Sequence, residues 1–279
     1  MKIWGHTLFK NEERWLWYSV TSVIDYLDKL LLWDTGSTDN SFKIAEDLVK
    51  KYPGKIELKE YGEITPQVFP QVRQEMLEET NADWFLVVDA DEIWPKASIS
   101  SVIEEITYRG NIIESIVVPT INLVGDVFHY QPQSAGRYRL GGRVGHYNLR
   151  GINRNIPGLH AQNPHGTMGW ADENNQMIQE RGSGKVSFVD APYLHTTFLP
   201  RGDKRADDLK VPKRANKLKF EIGDDIPKDF FYPEVMFIPH PKYVTSPWHG
   251  TDYKFKLRAL VETPLRKVKR RIINGKVGY

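Results

Sequence analysis

Residues 84–92 read Trp-Phe-Leu-Val-Val-Asp-Ala-Asp-Glu. Five apolar residues closed by three acids fit a parallel strand buried on both faces, which delivers Asp89, Asp91 and Glu92 to the crevice beyond its carboxyl end. Asp89 and Asp91 stand two apart, so in an extended segment both carboxylates can reach one hard cation, directly or through water. Mg2+ and Mn2+ take such oxygen ligands, and the oxygens of a diphosphate complete the shell. A cation held this way offsets the charge that develops on a departing diphosphate. The same three residues also make a good solvated turn after a strand, so the triplet by itself leaves both readings open.

A second polar cluster lies upstream. The apolar run Leu30-Leu31-Leu32-Trp33 ends in Asp34-Thr35-Gly36-Ser37-Thr38-Asp39-Asn40-Ser41. Thr35, Gly36 and Ser37 allow a tight turn, and the Asp39 carboxylate can accept a hydrogen bond from the N–H of a nucleobase. Ser37 and Asp39 are equally good helix caps, so ligand binding and capping both stand.

To bring these clusters together the chain needs alternating strands and helices, and its first half has them. Ile3–Leu8 reads as a first strand. Leu16, Val20, Val23 and Leu27 then recur on one face of a helix. Phe42, Ala45, Leu48, Val49 and Tyr52 mark the next helix, ended by Pro53-Gly54. Ile56–Leu58 is a third strand, and Val72, Met76 and Leu77 mark a third helix. A helix through Val102, Ile103 and Ile106 opens at Ser98 or Ser101, and Ser115–Pro119 is a further strand. From about Asn122 to Gly184 periodicity fades among Gly, Asn, Pro, His and Arg. A long irregular segment rich in aromatics and histidines reads as a substrate cover. Val186–His195 looks like a returning strand. Phe255, Leu257, Leu260, Val261, Leu265 and Val268 predict an amphipathic helical tail.

Four stretches in this order resemble the family 2 glycosyltransferases of the inverting GT-A fold. They are Leu8-Phe9-Lys10-Asn11-Glu12-Glu13, Asp34 to Ser41, Arg73 in the helix before the central strand, and Asp89-Ala90-Asp91-Glu92 after it. The resemblance covers roughly residues 1–120. It implies an α/β fold, a mixed and mainly parallel Rossmann-like sheet flanked by helices, with an irregular acceptor-side region and a basic helical tail. Residues 1–120 form the donor half, 121–250 the acceptor and catalytic half, and 251–279 the tail. The implied donor is a nucleotide-diphosphate sugar. Phe9 and Asn11 line its base pocket, Asp34 and Asp39 belong to the same donor site with Asp39 on the base, and Arg73 reaches base or diphosphate. Asp89 lies near the ribose or the metal, and Asp91 is the principal ligand of Mn2+ or Mg2+.

Inverting transfer also needs a group that takes the acceptor proton. Relatives often carry an Arg-containing strand followed by a His-Glu pair. Tyr147-Asn148-Leu149-Arg150 matches that strand, but His160 is followed by Ala161. Asp172, with Glu173 as the alternate, is then chosen as base from the loop Gly169-Trp170-Ala171-Asp172-Glu173; His160 and His165 are further candidates. His195, after Tyr193-Leu194, is the imidazole that some GT-A enzymes add to the metal shell. Arg201, Lys204 and Arg205 can close over the diphosphate.

Composition bounds the rest. The 279 residues contain no cysteine, which excludes disulfides, thiolate metal sites and cysteine nucleophiles. The N-terminus is too interrupted for a secretory segment and no apolar run is long enough to span a bilayer, so a cytoplasmic protein is expected. The net charge of +2 is uneven: residues 254–279 hold nine Lys/Arg against Glu262 alone, which leaves the preceding body acidic. Such a body argues against nucleic acid as partner. The tail suits peripheral contact with an anionic membrane face, an oligomer contact or plain solvation. A glycan or a lipid-linked molecule is the expected acceptor. Rival readings are a phosphohydrolase built on Asp89 and Asp91, and a non-catalytic module that binds nucleotide-sugar or glycan. A sugar nucleotidyltransferase lacks support, since Leu8 to Glu12 contains no glycine.

Overall fold

The computed structural model describes residues 1–272 except 141, 183, 212 and 213; the side chains at 205, 207, 210, 215, 216, 271 and 272 also lie outside the described set. Strands β1 (Ile3–Phe9), β2 (Lys29–Asp34), β3 (Ile56–Glu60) and β4 (Trp84–Val87) alternate with helices α1 (Leu16–Val23), α2 (Ser41–Lys51) and α3 (Phe69–Glu79). The short β5 (Glu92–Ile93) and α4 (Lys96–Arg109) follow. A run of strands comes next: β6 (Ser115–Val124), β7 (Asp126–Tyr130), β8 (Tyr138–Leu140), β9 (Arg143–Gly145), β10 (Tyr147–Asn153), β11 (His160–Gln162), β12 (Gly169–Ala171), β13 (Val186–Phe188) and β14 (Tyr193–His195). Helices α5 (Arg205–Lys210) and α6 (Arg214–Lys217), strand β15 (Asp224–Asp225) and helix α7 (Tyr253–Ile272) come last.

The central sheet runs β3-β2-β1-β4-β10-β6-β7-β15. Its first four strands are parallel, and β10 inserts antiparallel between β4 and β6. The period of two along β2 sorts its side chains to two cores. Leu30 and Leu32 face the core that holds Leu16, Val20, Ile44 and Val102 of α1, α2 and α4. Leu31 and Trp33 face Val72 and Met76 of α3. Beside α3, Phe85, Val117 and Leu149 pack under Trp170 of the β11–β12 hairpin.

Three local expectations shift. Val186–His195 is two strands, both parallel to β6, because Pro192 between them has no N–H for a ladder. Helix α4 opens at Lys96, directly after Pro95 in extended conformation, and Ser98 lies inside it with its hydroxyl donating to the Pro192 carbonyl at 2.6 Å. The irregular stretch is built from short hairpins rather than coil.

Candidate functional site

The carboxyl ends of β1, β2 and β4 open into one cleft of about 290 Å3. Phe9, Thr35 and Arg73 line one part of it, and Asp89 and Asp91 its centre. His165, Met168 and Trp170 line the far wall.

The loops after β1 and β2 are welded to each other. Asp34 accepts the main-chain N–H of Ser37 at 3.1 Å with both carboxylate oxygens, and the Ser37 hydroxyl at 2.5 Å. Ser37 Oγ in turn accepts the N–H of Asn11, and Asn11 Oδ1 accepts the N–H of Thr38 at 2.7 Å. Asp39 accepts the N–H of Ser41 at 2.9 Å at the start of α2, and burial raises its carboxyl above the ordinary range. Gly36 has φ +88°, and a Cβ there would stand 3.0 Å from the main chain of Glu63, so the turn requires glycine. Asn11, Asp34 and Asp39 therefore shape the pocket edge, while Phe9, Lys10, Glu12 and Thr35 line the cleft.

Beyond β4 the acids are sorted by their partners. Asp89 remains 37% exposed; its two oxygens meet Arg73 Nη2 at 3.1 Å and Arg150 Nη2 at 3.0 Å. Burial alone would raise its carboxyl, but the Arg150 and Arg73 charges outweigh that and hold it below the usual range. Asp91 is only 4% exposed and lies 2.6 Å from Arg201 Nη2 and 3.2 Å from His195 Nε2. Against the same burial, Arg201 and His195 hold it well below the usual range. Glu92 points the other way, into the core. It pairs with Arg150 and accepts the Tyr193 hydroxyl at 2.7 Å, and burial outweighs Arg150 to push its carboxyl up to about 7.

The segment after β14 straps across the cleft. Arg201 bridges Asp91 to Glu12, 2.7 Å from Glu12 Oε1, and Arg214 meets the same oxygen at 2.6 Å. Arg214 also donates to the carbonyls of Lys10 and Asn11, at the end of β1. Lys204 is exposed, and the side chain of Arg205 lies outside the described residues.

Does this set fit a divalent cation? Among the described residues no three His, Asp or Glu side chains converge tightly enough to hold one alone. Two donors do converge. Asp91 Oδ2 is buried without a well-directed hydrogen bond. His195 Nδ1 lies 3.1 Å from Asn122 Oδ1, which also accepts the Thr120 hydroxyl, while Asn122 Nδ2 lies 2.7 Å from His146 Nδ1. In that network Asn122 presents its oxygen to His195 Nδ1, so with a cation bound the imidazole could keep a proton on Nδ1 and offer the Nε2 lone pair beside Asp91, in place of the Nε2 contact it makes with the carboxylate here. A carboxylate and an imidazole lone pair aimed at one point fit Mn2+ or Mg2+ whose remaining ligands come from a diphosphate. Arg201, 2.6 Å from Asp91, supplies positive charge at the same point.

The structure does not bring Asp172 and Glu173 into the cleft. Asp172 accepts the N–H groups of Asn174 and Gln176 and pairs with Arg181, so its carboxylate is consumed in closing its own turn. Glu173 is exposed, with its main-chain N–H donating to Pro157. His160 bonds to the Gly158 carbonyl on β11, whereas His165 lines the cleft beside Phe69, ring centroids 4.6 Å apart. Sequence reasoning missed Asn122, Arg214 and the role of Glu12. Glu12 was at least inside a recognised stretch; nothing local marks the other two.

A family model for glycosyl transferase family 2 matches residues 7–168, more than half of the chain. The chain belongs to that family. Its sheet is the GT-A arrangement, and membership removes the phosphohydrolase reading. Among solved structures this glycosyltransferase is similar to glucosyl-3-phosphoglycerate synthase of Mycobacterium tuberculosis, crystallised with Mn2+, UDP-glucose and phosphoglyceric acid. Identity is 14% and TM-score 0.47, over 78% of this chain and 77% of that one. TarS 1–349 of S. aureus is similar at 14% identity and TM-score 0.46, over 78% and 71%. No curated protein matches the chain.

Proposed function

We propose that this glycosyltransferase moves a sugar from a nucleotide-diphosphate donor to a hydroxyl of a glycan or lipid-linked acceptor, with inversion and with Mn2+ or Mg2+. The observation that supports it is the convergence of Asp91 and His195 on one buried point, inside a cleft whose other charged lining is mostly basic, from four arginines with Lys10 and Lys217. Phe9 and Thr35 form the floor under the nucleoside, and Arg73 neutralises Asp89 beside it. Asp91 and His195 would hold the cation, which would supply Lewis-acid stabilisation to the leaving diphosphate. Arg201, lining the cleft beside Asp91, is within reach of the same diphosphate, and Arg214 keeps Glu12 paired. The acceptor enters along the wall of Phe69, Met168 and Trp170. There His165 takes the hydroxyl proton as the oxygen bonds to the anomeric carbon and the bond to diphosphate breaks.

The test is turnover with a panel of UDP-, GDP-, dTDP- and CMP-sugars, with and without Mn2+. Cation-dependent release of nucleoside diphosphate from one of them is the expected result. Binding of a donor with no release, with or without acceptor glycans, would leave a binding module and overturn the enzymatic reading.

A further inference from the structure

Helix α7 is attached to the body by the wrong side for a soluble amphipathic helix. Its small and polar residues face inward: Ala259 and Thr263 are buried, and Thr263 Oγ1 accepts the N–H of Ile222 at 2.8 Å. Arg270 forks onto both Glu221 oxygens at 2.6 Å, and the Phe255 ring packs on Phe220 at 5.3 Å. The opposite side carries Tyr253, Leu257, Leu260, Val261, Leu265 and Val268, exposed by 73, 47, 59, 67, 66 and 52%. At 100° per residue these six share an arc of about 140° along a helix about 30 Å long. A helix of a globular protein ordinarily buries such a stripe, and an exposed one marks a surface that something apolar covers.

The charges say what covers it. On the same helical wheel Lys256 and Lys267 border one edge of the stripe and Lys269 the other, while Lys254 sits within it at the helix's first turn, and all four are exposed. The helix's single acid, Glu262, lies about 20° beyond Lys269 and is already paired with Arg258 and Arg266. Two copies joined through the stripe would set these lysine rows against each other with that one acid engaged by its own arginines. An anionic lipid surface meets both parts at once, taking the apolar arc among its acyl chains and the lysines among its headgroups. Among the described residues no helix is long and apolar enough to cross a membrane, so the contact lies on the surface.

We infer that the outward face of α7 is a docking surface for an anionic membrane, acting independently of the chemistry in the cleft. The test is cosedimentation of the full chain with vesicles of phosphatidylcholine alone and of phosphatidylcholine mixed with phosphatidylglycerol, alongside sedimentation velocity without lipid. Binding to the mixed vesicles only, weakened by salt, is expected. Lys267→Ala with Lys269→Ala should weaken it by about thirtyfold, at about fivefold per basic residue. Leu260→Asp with Val261→Asp should abolish it while turnover on a soluble acceptor is unchanged. Absence of binding to the mixed vesicles, or equal binding to both compositions, would overturn the inference. So would a wild-type dimer that Leu260→Asp with Val261→Asp renders monomeric and that ignores vesicles. Should that aspartate pair not fold, the lysine pair decides alone.

Discussion

Residues 1–120 deliver their polar groups where parallel strands stop: Asp34 closes β2, and Asp89 and Asp91 follow β4 within four residues. Residues 121–250 deliver theirs across the fold. Arg150 reaches Asp89 and Glu92 from the middle of β10, His195 reaches Asp91 from the end of β14, and Arg201 and Arg214 fold back on Glu12. The first region supplies the carboxylates and the second supplies most of the cations and imidazoles that neutralise them. Neither is a site alone, because a buried carboxylate without its partner would shift its pKa and lose its charge.

That division can be broken at its strongest point first. Asp91→Ala removes the carboxylate to which both His195 and Arg201 reach, and turnover should fall about 10³-fold, the scale of losing one group that stabilises developing charge. A loss below tenfold would mean that the acids of the first region are only structural. Next is Arg150→Met. It leaves Glu92 in the core without its cation, and denaturant unfolding should show about 3 kcal/mol of destabilisation. Glu92 can partly relieve this by taking a proton.

Within the second region, His165→Asn should lower turnover about 10²-fold with the unfolding midpoint unchanged. Asp172→Asn should do the reverse, leaving turnover within about twofold and lowering the unfolding midpoint through the lost charge pairing with Arg181. If Asp172→Asn abolished turnover without destabilising the fold, the base would lie in its loop after all. A last comparison takes one buried histidine from each region. Burial and Arg73 hold His6 well below 6.5, and burial chiefly lowers His146 to about 4. The unfolded chain takes up protons that these folded rings refuse, so stability present above about pH 6.5 is lost as pH falls. Each ring contributes a slope of up to about 1.4 kcal/mol per pH unit, that of His146 ending near pH 4. His146→Gln should remove its share of the slope, measured by unfolding between pH 7 and about pH 4.

The same contrast explains what was legible. Apolar runs ending in acids gave away β2, β4 and the cleft between them, because strand burial and strand termination are local properties. The places of Asp89, Asp91 and His195 at strand ends facing the cleft were readable for that reason. Asp34, Asn11 and Asp39 were read as ligand contacts, yet turn chemistry claims their side chains, and the two uses share one residue vocabulary. Asp172 misled in a similar way: a Trp-flanked acid suits a sugar, but four residues of turn and a distant Arg181 consume it. Asn122 and Arg214 had no signal, since a mid-strand amide and a basic loop residue acquire meaning only from packing. The tail was legible as an amphipathic helix, but not which side of it would be fastened.

The central claim is that Asp91 and His195 make one cation-dependent donor site. It is tested most directly by titrating the preferred nucleotide-sugar calorimetrically into wild-type protein in Mn2+, in EDTA, and into Asp91→Asn in Mn2+. Binding in the first case, weakened at least about tenfold (about 1.4 kcal/mol) in both others, is the predicted result. Equal affinity in all three would contradict it.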